Sequence, residues 1–158
     1  MIINITYTKE SYWTNSFVFT LEDKTVIATA LIESQRQKGQ VVYKGQDYYE
    51  IKPKDGILSC NLMVLDSTGK EVLSIANSPK LLCDECYFCL PMNWKIVGDV
   101  ELEFAFDIFD ESNKTIASVK IQNLFFKRNG FFFVDVKDDA NVFDCLLIVS
   151  ALLVNSSF

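Results

Sequence analysis

The chain has 158 residues, 49% of them apolar and 23% charged, the composition of a globular domain with one core and not of a disordered or fibrous chain. Fifteen basic residues against 21 acidic ones leave a net charge of −6, which argues against nucleic acid as a general partner, because phosphate binding needs a positive field. There is no histidine, so Ser-His-Asp and Cys-His catalysis and histidine-ligated metals are excluded together.

The first residues, Met1 to Thr8, have no basic start, long apolar run or small-residue cleavage site, and so do not read as a signal peptide. Five cysteines, an odd number, fit reduced thiols in a cytoplasmic protein. Next comes a period of two. Phe17, Phe19 and Leu21 alternate with Ser16, Val18 and Thr20, which predicts a strand with one face in a core. Val26 to Ile32 is apolar throughout except Thr29 and predicts a strand covered on both faces. Alternation returns at Leu102, Phe104, Phe106 and Ile108, and at Phe132, Val134 and Val136.

Three turn signals, carrying Asp23, Asp66 and Asp110, each join two such runs. Val64–Ile75 and Ile108–Val119 align residue for residue as β-hairpins. A period of about 43 also fits propeller blades or the three units of a β-trefoil. Three blades are too few for a propeller, and a trefoil leaves no room for the long apolar run at the C-terminus.

Asp138 or Asp139 is a good helix N-cap, and the run to Val154 is apolar around most of its circumference. It is shorter than the roughly 20 residues that a membrane span needs, and it carries Asp144 and Ser150. It predicts a helix over 139–154 buried in protein. Strands over 2–137 and this helix form one domain, 1–158. The expected fold is mainly β: a closed antiparallel barrel of about 12 strands around a buried hydrophobic C-terminal helix. A β-trefoil and a lipocalin-like barrel are the alternatives.

The ending from Phe132 to Leu152 resembles the C-terminus of the tubby-like superfamily, which includes tubby domains, phospholipid scramblases and LURP-one-related proteins. The hairpins Val64–Ile75 and Ile108–Val119 resemble the strand-Asp-x-x-Gly-strand units of the LURP-one-related and scramblase branch. The resemblance covers about Leu58 to Val154. It implies a twelve-stranded barrel threaded by its last helix, and a non-enzymatic binding module that engages a protein or membrane-lipid partner. The tubby branch binds phosphoinositides through a basic pocket, whereas this chain is acidic and has no cluster of four Lys or Arg. Lys127-Arg128, at an expected hairpin tip closed by Asn129-Gly130, and Arg36 with Lys38, are its lipid- or partner-binding candidates. Tight binding to anionic membranes is not expected.

Other chemistry competes with plainer readings. Cys83-x-x-Cys86-x-x-Cys89 has the spacing of a metal site, with Cys60 or Cys145 as a distant fourth ligand. On a strand, however, Cys86 faces away from the other two, and free cysteines usually pack as small hydrophobes. Glu101, Glu103 and Asp107 form an acidic row opposite a full apolar face, which reads as a solvated side before calcium or catalysis. Tyr12, Trp13, Tyr48, Tyr49, Tyr87 and Trp94 suit either a ligand groove or the core and barrel rim. No cofactor motif is present. The rival functions are a small hydrophobic-ligand carrier barrel and a carboxylate-based enzyme.

Overall fold

The structure, a computed structural model, describes residues 1–54, 61–77, 86–100, 104–121 and 129–156. Twelve strands follow in order: β1 (Ile2–Lys9), β2 (Thr14–Thr20), β3 (Val26–Glu33), β4 (Lys38–Tyr43), β5 (Asp47–Pro53), β6 (Leu62–Asp66), β7 (Glu71–Asn77), β8 (Cys86–Leu90), β9 (Trp94–Asp99), β10 (Ala105–Phe109), β11 (Thr115–Ile121) and β12 (Asn129–Val136). Each pairs antiparallel with its neighbours in the chain, and β1 pairs with β12 to close the barrel. A 3₁₀ turn, Asp139–Asn141, leads into α1 (Val142–Val154).

The expected closed barrel and C-terminal helix are both present. From Cys145 to Val154 every residue of α1 is buried, on all sides. Among the described residues no second layer surrounds the barrel, so it is the lumen that buries the helix in this way. A 12-strand barrel measures about 24 Å between opposite backbones, and inward side chains narrow this to about the 10–12 Å width of one helix. Leu146, Leu147, Val149 and Leu153 are each no more than 2% exposed, as a lumen helix requires.

The helix lies closest to β3, β4 and β6. On β3 and β4 the inward residues include small ones, Ala28, Ala30, Gly39 and Val41. The wider gap on the other side is filled by aromatics. The Phe104 ring lies 5.1 Å from that of Phe106 and 5.5 Å from that of Phe132, and Phe17 and Tyr7 extend the cluster. The small inward residues of β3 and β4 let the helix approach that side.

Three expectations are corrected. The segment 26–32 is covered on one face only: Val26 is 54% exposed and Leu31 also faces out. The small alanines on its inner face, needed for the helix, had made it look uniformly apolar. The helix begins later than 139. Asp138 caps the 3₁₀ turn, accepting a bond from the Ala140 N–H at 3.0 Å, and α1 starts at Val142. Asn129 and Gly130 do not close a hairpin tip. They belong to β12 and pair with Thr8 and Tyr7.

The repeated turns are real, with one offset. In the hairpins β6–β7 and β10–β11, Asp66 and Asp110 each accept bonds from two backbone N–H groups, those of Thr68 and Lys70 and of Ser112 and Lys114. Asp66 also accepts from the Thr68 hydroxyl at 2.6 Å, the main reason its carboxyl is held below the usual range. Each hairpin has a register shift just before its Asp. In β2–β3 the same backbone bonds start from Leu21, not Asp23. All three turns place their fourth residue at positive φ: Lys24 at 68°, Gly69 at 85° and Asn113 at 62°. Glycine and asparagine adopt that conformation at lower cost than lysine. Lys24→Gly is therefore expected to stabilise the protein by about 0.5–1 kcal/mol, read as a higher urea midpoint with unchanged slope.

Candidate functional site

Connections alternate between the two ends of the barrel. One end carries the tight turns β2–β3, β4–β5, β6–β7, β8–β9 and β10–β11, together with the start of α1. Its described rim is rich in acids, including Glu22, Asp23, Asp66, Asp110, Glu111, Asp138 and Asp139. The opposite end carries β1–β2, β3–β4 and the other odd-to-even connections, and α1 points its C-terminus there.

At this second end the β1–β2 turn presents two aromatic side chains to solvent. Tyr12 is 74% exposed and Trp13 48%. Their rings meet edge to face at 4.5 Å, and the Lys9 ammonium lies 5.3 Å from the centre of the Tyr12 ring. The next loop is tied to this turn, because the Trp13 carbonyl accepts from both the backbone N–H and the hydroxyl of Ser34, at 3.0 and 3.1 Å. That loop is the 3₁₀ turn Ser34–Arg36, which leads to Lys38 at the start of β4. Arg36 and Lys38 therefore lie on the loop that neighbours the aromatic turn, and both are exposed. The acids here are engaged locally: Glu33 pairs with Arg36 at 3.9 Å, and Glu10 accepts from the Ser16 hydroxyl at 2.8 Å.

Lys127 and Arg128 lie outside the described residues, though Asn129, the next residue in the chain, pairs with Thr8 beside Lys9 at this same end. The sequence grouped Tyr12 and Trp13 with four other aromatics, and the structure separates them. Tyr87 and Trp94 are buried, Tyr49 packs on Phe143 at 5.5 Å inside the opposite mouth, and Tyr48 stands on the outer face of β5. The available signal for the pair was position: two adjacent aromatics in a short turn between two period-two strands.

The cysteine trio reads differently. Cys83 lies outside the described residues, as do the side chain of Cys86 and all of Cys60. Cys89 is on the inner face of β8, fully buried, its thiol 3.9 Å from the Met92 sulfur. Burial pushes the thiols of Cys89 and Cys145 up to about 12, and the Asp144 carboxylate near both adds to the shift. Both are neutral thiols near pH 7, and it is the thiolate that acts as nucleophile or metal ligand. Among the described residues no group of three or more Cys, Asp or Glu is placed to hold a metal. Glu101 and Glu103 lie outside the described residues. Asp107 is on the outer face of β10, where it accepts a hydrogen bond from the Ser118 hydroxyl. Among the described residues no helix is long and apolar enough to cross a membrane.

No family model matches the chain, and no curated protein matches it. Among solved structures, the X-ray structure of a protein from Arabidopsis thaliana is similar, with a TM-score of 0.60 and 12% identity over 98% of this chain and 91% of that one. At that identity the likeness is one of fold alone.

Proposed function

We propose that the protein is a non-enzymatic binding module of the tubby-like, LURP-one-related type, and that it engages its partner through the end of the barrel that carries Tyr12, Trp13, Arg36 and Lys38. The observation that carries this reading is the filled lumen. With α1 occupying the interior, a carrier's ligand has no central cavity, and recognition falls to the outer surface. There the Tyr12–Trp13 pair is the largest exposed aromatic feature among the described residues, flanked by three cations on a chain of net charge −6. Exposed Trp and Tyr with adjacent cations are the residue types that serve as anchors at protein interfaces and at membrane surfaces.

A protein partner is favoured over a lipid surface. Each cation near an anionic membrane contributes about 1 kcal/mol, and here Glu10 and Glu33 stand among the cations. The test compares wild type with Tyr12→Ser/Trp13→Ser in a pull-down, alongside co-sedimentation with phosphatidylserine vesicles. A retained protein that is lost with the double substitution is expected. Vesicle binding is expected to be weak and to fade as salt shortens the screening length toward about 8 Å. If the double variant retains the same proteins as wild type, this end is not the binding site. Tight vesicle binding that Lys127→Glu/Arg128→Glu abolishes would make the partner a lipid.

A further inference from the structure

The repeated hairpin belongs to a larger repeat. Four strands separate each bulged turn from the next, β2–β3, β6–β7 and β10–β11, which divides the barrel into β1–β4, β5–β8 and β9–β12. The period is four strands and not two. Among the described residues the ladders β4–β5 and β8–β9 run without a register shift, and they close on the connections 44–46 and 91–93.

Strand register repeats with this period around the whole barrel. Ile5 pairs with Phe19, and Phe19 with Ala28. Ile51, Val64 and Leu73 stand in the same relation, and so do Ile96, Ile108 and Ala117. Two residues along, Phe17, Ala30 and Val41 form one row, Leu62, Ile75 and Cys89 a second, and Phe106, Val119 and Val134 a third. The rows join unit to unit in one way: Val41 to Tyr49, Cys89 to Trp94, and Val134 to Ile3 across the closure. All of these residues but Tyr49 are buried. Each ladder could slip by two residues and keep its faces, so a plain meander does not require this agreement.

The sequence follows the register. Phe17, Glu22, Ile27 and Ala28 recur as Phe106, Glu111, Ile116 and Ala117, and Ile5, Ile51 and Ile96 are the same residue at one lumen position. The departures are local. Gly39 stands where the other units have Tyr87 and Phe132. A Cβ there would already lie 2.7 Å from Ile32 Cδ1 and 3.4 Å from Val154 Cγ2, so a ring has no room beside the end of α1. Tyr12 and Trp13 lie in the connection 10–13, and its counterparts 54–61 and 100–104 contain neither Tyr nor Trp, so the unit does not need that pair to fold.

We propose that the barrel is a threefold repeat of one four-strand unit, with the bulged hairpin interchangeable between units. The symmetry is broken where α1 passes Gly39 and where Tyr12 and Trp13 are presented. Each unit buries its inner face only against the other units and α1, as neighbouring repeats do in other repeat architectures.

Exchanges within the full chain test this. In a turn exchange, residues 110–114 replace 21–25, which puts Asp in place of Leu21 and Asn in place of Lys24. In a hairpin exchange, residues 106–118 replace 17–29. In a control, residues 43–47 replace 21–25; that turn is of another type, with positive φ at Lys44 and Gly45. The turn exchange is expected to unfold cooperatively in urea at about the wild-type midpoint, and the control well below it. The hairpin exchange is expected to stay cooperative, with a midpoint no lower than that of Phe19→Ile/Leu21→Asp, which carries its changes in apolar packing alone. A hairpin exchange that falls below that double variant, or that loses cooperativity, overturns the proposal. So does a turn exchange no more stable than the control.

Discussion

Truncation after Asp139 is expected to yield no soluble, cooperatively unfolding protein. The segment removed contains α1, whose residues from Cys145 to Val154 are all buried, and it supplies one whole side of the core. Twelve strands without it would enclose a space about 10–12 Å wide lined by Ile, Val and Phe, which the barrel can neither leave empty nor close by collapse. Single truncations within the helix are the graded version. Leu146→Ala and Leu152→Ala are each expected to cost about 2–5 kcal/mol, a large share of the 5–15 kcal/mol that holds a typical domain folded. Ser150→Ala is the internal control. Its hydroxyl is buried without a hydrogen-bond partner among the described residues, so losing it should leave the urea midpoint unchanged or raise it. A truncated chain that stays soluble and unfolds cooperatively would remove the helix from the lumen.

The period of two was a faithful guide wherever large residues alternate with polar ones. Phe17 and Phe19, Phe106 and Ile108, and Phe132, Val134 and Val136 all face inward as read. The helix was legible for the opposite reason: an apolar run with no polar stripe has to be surrounded. Reading failed where the inner face is small. Ala28 and Ala30 gave no contrast against Val26 and Leu31, because the size of an inward residue depends on how close α1 comes, and no local pattern carries that distance. The two faces of β8 were hidden in the same way, since Tyr87 and Cys89 face inward and Phe88 and Leu90 outward, yet all four are apolar. The turn offset between Leu21 and Asp66 went unseen because Asp is a turn former at several positions. The aromatic end was named residue by residue yet not as a place. The turn carrying Tyr12 and Trp13 is tied to the loop carrying Arg36 through the bonds from Ser34 to the Trp13 carbonyl, which no local pattern announces.

Gly98→Ala is expected to be among the most damaging single-methyl changes in the chain. Gly98 lies on β9 opposite Phe106, with φ at +141°, a conformation open in practice to glycine alone. A Cβ there would sit 2.3 Å from the Ala105 carbonyl oxygen and 2.6 Å from the Phe106 Cα. Both are backbone atoms, so no side-chain rotation relieves the clash, and β10 itself would have to move. Moving it displaces Phe106 and Phe104, and through Phe104 the contact with Phe132 that fills the lumen opposite α1. Backbone strain and overpacking together put the cost at about 3–5 kcal/mol. Gly69→Ala provides the comparison. That residue also has positive φ, 85°, but nothing lies within 4 Å of a Cβ there, so only the conformational cost of about 1 kcal/mol remains. The two variants should therefore differ severalfold in lost stability by urea unfolding. Equal losses would mean that β9 and β10 do not approach as closely as the Gly98–Phe106 pairing requires.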